Sequence, residues 1–328
     1  MKRSLLRWFP LIAGMIAAAD LTSARDVTVA VIPKGTTHEF WKSIHAGAVK
    51  AARESEAAGT KVNLIWKGPL REDDREQQIQ VVENFIGRKV DGMVLAPLDS
   101  RALVQPVESA VLAGIPVVII DSGLESSKIG GFVATDNREG GRRGGELLAT
   151  LLGGKGRVLL LRYQEGSAST EEREAGFLEA IAKHPEIAVV SSDQRAGATR
   201  DTAYQASQNV LNRFGRKIDG LFTPNESSTA GMTLALRDAG LAAGKLKHVG
   251  FDSSPPLIEA LKGGDIQGLV VQDPFTMGYL GVKTLLDRLA GREVPPRTDT
   301  AVQVITRENL DQPAVRAVIA PPLDEYLN

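Results

Sequence analysis

From Val27 onward the chain alternates short apolar runs with longer stretches of helical period. The runs are VTVAVI (27–32), KVNLIW (61–66), DGMVLA (91–96), IPVVII (115–120), GGFVAT (130–135), RVLLLR (157–162), IAVVSS (187–192), DGLFTP (219–224), LKHVGF (246–251) and IQGLVV (266–271). Many are rich in Val, Ile and Leu without strict alternation, the pattern of strands buried on both faces of a parallel sheet. Between them, residues 40–58, 72–87, 102–113, 171–183 and 229–239 place apolar side chains at helical spacing. This βαβα rhythm predicts an α/β fold with parallel sheets. Ten strands exceed a comfortable single open sheet, so two sheets are expected. No tandem sequence repeat or low-complexity linker separates them, and the tail from Thr306, with Pro313, Pro321 and Pro322, is the least regular part.

Ligands of such sheets sit beyond the carboxyl ends of the strands. The residues there are Pro33-Lys34, Trp66-Lys67, Pro97, Asp121-Ser122, Asp136-Asn137, Asn225-Glu226, Asp252 and Gln272-Asp273. Two segments stand out. In IPKGTTHEFWKSIHAG (32–47) a chain with only 5% aromatic residues places Phe40 and Trp41 side by side. Thr36-x-x-Glu39 reads as a capping box, which starts a helix near Thr37. Phe40, Ile44, Ala48 and Ala51 then share one face, so plain packing accounts for Phe40. Trp41 lies about 100° off that stripe and calls for a flat apolar surface that the helix does not supply, such as a sugar ring. In GSASTEEREAGF (166–177) a second capping box, Ser169-x-x-Glu172, puts Arg173 in a first turn, where the helix dipole disfavours a cation. A salt bridge with Glu172 or Glu165 is one resolution. A fork of N–H donors aimed at ligand oxygens is the other.

Composition narrows the address and the chemistry. Of 328 residues, 43% are hydrophobic and 24% charged, as in a soluble globular protein. The net charge of −1 supplies no basic field for nucleic acid. The N-terminus has Lys2, Arg3 and Arg7, an apolar run from Phe9 to Ala19 and then small residues, the pattern of a secretory signal peptide over 1–24. Pro10 interrupts a run already shorter than the roughly 20 apolar residues of a membrane span. There is no cysteine, hence no disulfide and no lipid anchor on an N-terminal Cys. A periplasmic location is the inference. Enzyme motifs are thin: His38, His45, His184 and His248 fit no HExxH spacing, and neither GxSxG nor GxxxxGK[ST] occurs. The glycine pairs Gly140-Gly141 and Gly144-Gly145 flank Arg142-Arg143 without forming GxGxxG. No cofactor or metal is expected.

In order and spacing, HEFWKSIHAGA, DGMVLAPLDS, GIPVVIIDS, ATDNREGG, EEREAGF, PNESSTAG, VGFDSSP and VVQDPFTMGYLG resemble the periplasmic sugar-binding proteins of the ribose/galactose-binding type, relatives of the ligand-binding domain of LacI-type repressors. The resemblance runs from about Val27 to Ile305. It implies an α/β chain of two Rossmann-like lobes with parallel sheets, joined by a three-stranded hinge around one ligand. Residues 26–135 with 273–299 would form the first lobe, 136–272 with 300–313 the second, and 314–328 a tail. Phe40 and Trp41 match the aromatic pair that holds the sugar ring, and His38 an Asn that bonds a hydroxyl. Asp121 matches the first-lobe acceptor, Arg173 the second-lobe donor, and Asn225, Asp252 and Gln272 later polar contacts. Lys34 stands where the ribose type has a small hydroxyl residue, Ser122 where it has an Arg, and Ala198 replaces an aromatic. These departures point from ribose towards a derivative with a carbonyl, carboxylate or phosphate.

The implied function is capture of a sugar-like ligand by hinge closure and delivery to the permease of an ABC importer, by a monomer that catalyses nothing and binds no nucleic acid. Presentation of a sugar derivative or an autoinducer-2-like ligand to a membrane receptor is the alternative. A repressor would need a helix-turn-helix where the signal peptide stands. A hydrolase would need paired carboxylates, for which Asp121, Asp252 and Glu226 are the available groups.

Overall fold

Two six-stranded sheets organise the chain, and the computed structural model describes residues 26–328. The signal peptide read at 1–24 lies outside the described residues. The first sheet runs β11 (Arg297–Thr300), β5 (Phe132–Thr135), β4 (Val117–Ile120), β3 (Gly92–Leu95), β1 (Val27–Ile32), β2 (Val62–Trp66). The second runs β12 (Val302–Ile305), β10 (Gly268–Gln272), β9 (Lys247–Phe251), β8 (Gly220–Phe222), β6 (Lys155–Leu160), β7 (Glu186–Ser191). The two orders correspond strand for strand. Among the described residues only β12 on β10 is antiparallel. In β1, Val27, Val29 and Val31 enter one apolar cluster while Ala30 and Ile32 enter another, which is why the run reads as continuously hydrophobic.

Helices α1 (Glu39–Ala57), α2 (Arg75–Gly87), α3 (Val104–Leu112) and α9 (Pro274–Leu289) cover the first sheet. Helices α4 (Asn137–Leu151), α5 (Ala168–Ile181), α6 (Arg200–Phe214), α7 (Glu226–Asp238) and α8 (Pro255–Gly263) cover the second. Close helix pairs repeat too. A Cβ added to Gly47 of α1 would stand 1.9 Å from the Phe275 carbonyl oxygen of α9, and one on Gly278 of α9 would stand 2.0 Å from that of Ile44. In the second half, Gly141 of α4 meets the Arg173 carbonyl at 1.9 Å and Gly176 of α5 meets that of Arg138 at 2.0 Å. In the glycine pairs of α4, Gly141 and Gly145 therefore face α5 while Gly140 and Gly144 face Phe251 and Phe222 of the sheet.

The chain passes between the sheets after β5, after β10 and between β11 and β12. Thr135, Gln272 and Thr300 end three of these strands. Thr135 Oγ1 donates to Gln272 Oε1 at 2.8 Å and lies 3.4 Å from Thr300 Oγ1. Beyond them, α10 (Pro313–Ile319) packs Val315, Val318 and Ile319 into the core of the second sheet beside Leu257 and Val271. Helix α11 (Leu323–Leu327) instead rests on the first half, where Arg53 of α1 donates to the Glu325 carbonyl at 2.6 Å and Tyr326 lies 5.6 Å from the Phe275 ring.

Three expectations change. β11 and β12 add to the ten predicted strands; the former, RTDT, is polar and lies at a sheet edge. Helix α2 begins at Arg75, where Asp74 accepts from Gln77 N at 2.9 Å, so Glu72 lies in the preceding loop. Neither predicted capping box forms. The N-caps are His38 and Ser167, without side-chain cap bonds, and Arg173 consequently falls beyond the first turn of α5.

Candidate functional site: a polar cavity between the sheets

The strand ends of both sheets face one polar cavity. The first half contributes Lys34, His38, Phe40, Trp41, Glu72 and Asp121. The second contributes Tyr163, Ser169, Thr170, Arg173, Asn225, Glu226, Asp252 and Gln272. Nine of the ten residues singled out in the sequence thus line it. The tenth, Ser122, lies behind the wall, fully buried, with its Oγ accepting from Ser169 N at 3.0 Å.

Phe40 and Trp41 begin α1 and are 8% and 3% exposed, their rings meeting edge to face with centroids 5.0 Å apart. Both belong to the apolar cluster of the first sheet and both line the cavity, so core anchor and cavity wall are the same residues. Trp41 is not free on the far side of the helix, because the loop after β2 covers it. Its Nε1 donates to Glu72 Oε1 at 2.6 Å.

Lys34 Nζ lies 2.8 Å from Asp121 Oδ2 and donates to Ser169 Oγ at 3.0 Å and Ser167 Oγ at 3.3 Å. Its three donors are thereby occupied. His38 Nδ1 lies 2.7 Å from Glu72 Oε1. Burial disfavours the imidazolium, but Glu72 outweighs it and raises His38 to about 9. Burial likewise pushes Glu72 up, and His38 overcomes that push to hold it near 2. The pair is therefore ionic across neutral pH.

Arg173 resolves against the surface salt bridge: Glu172 pairs with Arg138 at 3.0 Å. Arg173 is buried over the Phe251 ring, 4.0 Å from its centroid. Nε donates to Asn137 Oδ1 at 2.8 Å and Nη1 to the Pro224 carbonyl at 3.0 Å, while Asp252 Oδ2 stands 3.8 Å away. The guanidinium is thus partly structural, and Nη2 has no protein partner among the described residues. Asp252 accepts from Gln272 Nε2 at 2.7 Å and from Glu226 N at 3.1 Å. Burial pushes Asp252 up to about 6 against the pull of Arg173. Asn225 caps α7, its Oδ1 accepting from Ser228 N at 3.2 Å.

Sequence reasoning missed Glu72, Tyr163, Ser169 and Thr170 as cavity residues, and named Glu226 as a strand-end residue without giving it a ligand role. Tyr163 directly follows the run RVLLLR, so the strand-end rule reaches it. Glu226 follows Asn225, opens α7, and accepts from Phe40 N across the cavity at 3.2 Å and from Arg200.

Paired parallel sheets whose crossings border a polar cavity define a two-lobed binding protein. The chain belongs to the periplasmic binding protein domain family, whose model matches residues 29–293. It is 32% identical over 294 residues to the D-ribose/D-allose-binding protein of Pseudomonas aeruginosa, covering 88% of this chain and 90% of that one. It is 28% identical over 262 residues to the xylitol-binding protein of Mycolicibacterium smegmatis, covering 80% and 74%. A carbohydrate transporter solute binding protein from Agrobacterium radiobacter, solved in complex with D-arabinose, matches with a TM-score of 0.83 at 34% identity, covering 90% of this chain and 99% of that one.

Proposed function

We propose that this protein captures a small neutral sugar or polyol in the cavity and hands it to the permease of an ABC importer in the periplasm. One observation carries the neutral assignment: the cations at the cavity already face carboxylates. Lys34 faces Asp121, His38 faces Glu72, Arg173 faces Asp252 and Arg200 faces Glu226. An anionic ligand would bring a charge that no unpaired cation offsets, whereas hydroxyls can donate to the carboxylates and accept from N–H groups without changing the charge balance. The Lys34 that pointed towards a carbonyl, carboxylate or phosphate is spoken for. The relatives that bind ribose, allose, xylitol and arabinose support the same class.

Capture proceeds by hinge closure of the two halves, taken as 26–135 with 273–299 and 136–272 with 300–313, a bound ligand favouring the closed form. Thermal unfolding with neutral pentoses, hexoses and pentitols, against sugar acids and sugar phosphates, tests the proposal. At 1,000 times its dissociation constant a ligand adds about 4 kcal/mol of stability. A neutral compound is expected to give the largest shift. A larger shift from an acid or phosphate overturns the neutral assignment.

A further inference from the structure

Glu72 lies in the loop between β2 and α2, and its carboxylate is 6% exposed. It meets three donors: Trp41 Nε1 at 2.6 Å and His38 Nδ1 at 2.7 Å on Oε1, and Tyr163 OH at 2.6 Å on Oε2. The first two belong to the start of α1. Tyr163 comes from the other half, after β6, and the neighbouring Gln164 Nε2 donates to the Glu72 carbonyl at 2.8 Å. We propose that Glu72 is the positioning residue of the cavity: it orients His38 and Trp41 and clasps Tyr163 across the cleft, so that one side chain couples ligand contact to the approach of the two halves. The inference rests on the cavity being the sugar site.

With Nδ1–H directed at Glu72, His38 lines the cavity, and its Nε2 has no hydrogen-bond partner among the described residues. Kept protonated by Glu72, His38 offers a donor there. The other charged groups acting on this cluster are Lys34, Asp73, Asp121, Glu226 and Arg200. A glutamine at 72 has no charge and one acceptor oxygen, so it cannot serve the same donors. His38 then loses its counter-charge, burial favours the neutral ring, and Nε2 becomes an acceptor as pH rises.

Calorimetric titration of D-ribose, D-allose, D-arabinose and xylitol into wild type, Glu72→Gln and Tyr163→Phe at pH 6, 7 and 8 separates the roles. Asp252 titrates in both wild type and variant, so the ratio of their Kd values is the readout. Glu72→Gln is expected to weaken binding by about 10- to 100-fold, the ratio widening from pH 6 to pH 8. Tyr163→Phe is expected to weaken it by about 10-fold with no widening. A Glu72→Gln ratio within about twofold of one, or flat with pH, overturns the positioning role. Unchanged binding by Tyr163→Phe overturns the clasp, and does so even if Glu72→Gln fails to fold. Should no sugar bind wild type, the proposed function falls instead. An NMR titration of the His38 ring then still decides: the same midpoint in wild type and Glu72→Gln overturns the positioning role.

Discussion

Asp121 and Asp252 hold the same place in two copies of one topology, yet their carboxyls meet different partners. Each follows the corresponding strand, β4 or β9, and each adopts a left-handed backbone, with φ of 63° and 69°. Each sends its N–H to the next strand over, Asp121 to the Val133 carbonyl at 3.0 Å and Asp252 to that of Val270 at 2.8 Å. Such a conformation costs roughly 1–2 kcal/mol for most side chains, and Asp is among the residues that tolerate it. The surroundings then diverge. Asp121 has an ammonium at 2.8 Å, while Asp252 has a guanidinium at 3.8 Å and the Gln272 amide at 2.7 Å. The repeated frame fixes where the two carboxyls stand, and their partners decide what each does. One half keeps a close ion pair. The other holds a carboxyl that burial lifts to about 6, one hydrogen bond from the crossing at Gln272.

The largest effect should come from removing the ion pair. Lys34→Met strands Asp121 in a buried site and is expected to cost about 3–5 kcal/mol in denaturant unfolding. A loss under about 1 kcal/mol would mean that Asp121 is as loosely held as Asp252, and the contrast would break. Next come the shared helix contacts. Gly47→Ala and Gly176→Ala place a Cβ 1.9 Å and 2.0 Å from a carbonyl oxygen and are expected to cost about 1–3 kcal/mol each. Similar losses sharpen the equivalence of the halves, and tolerance at one position alone breaks it. The smallest effect is read from pH. With its folded value of about 6 above the ordinary 3.8, Asp252 contributes stability that is full below pH 3.8 and lost as pH rises through 6. From pH 4 to pH 7, wild type should therefore lose about 2 kcal/mol relative to Asp252→Asn. A difference that stays constant with pH removes the titrating carboxyl from the account.

Much of this was legible in the apolar pattern. Strands buried on both faces write continuous Val, Ile and Leu runs, and the residues after those runs include Lys34, Asp121, Asn225, Asp252 and Gln272. The repeat itself was hidden, because the halves share backbone order and glycine positions such as Gly47 and Gly176 rather than a tandem sequence. Trp41 was read as uncovered because helical spacing knows only its own helix, and the loop that buries the ring arrives from after β2, while the ring still lines the cavity. Glu72 was hidden by the same loop, read as helix although Asp74-x-x-Gln77 marks the true start. Arg173 could be flagged but not assigned. Its partners Asn137 and the Pro224 carbonyl come from other elements, brought close where Gly141 lets α4 press against α5.

The last residues give the fold a practical handle. Helix α10 is anchored in the core of the second sheet and α11 on the surface of the first, with only Ala320, Pro321 and Pro322 between them. Two adjacent prolines make a stiff spacer. Any change in angle between the halves is therefore transmitted to the docking of α11 on Arg53 and Phe275 rather than absorbed on the way. A dye placed at Tyr326 would act as a strain gauge, reporting ligand capture from the end of the chain without touching the cavity.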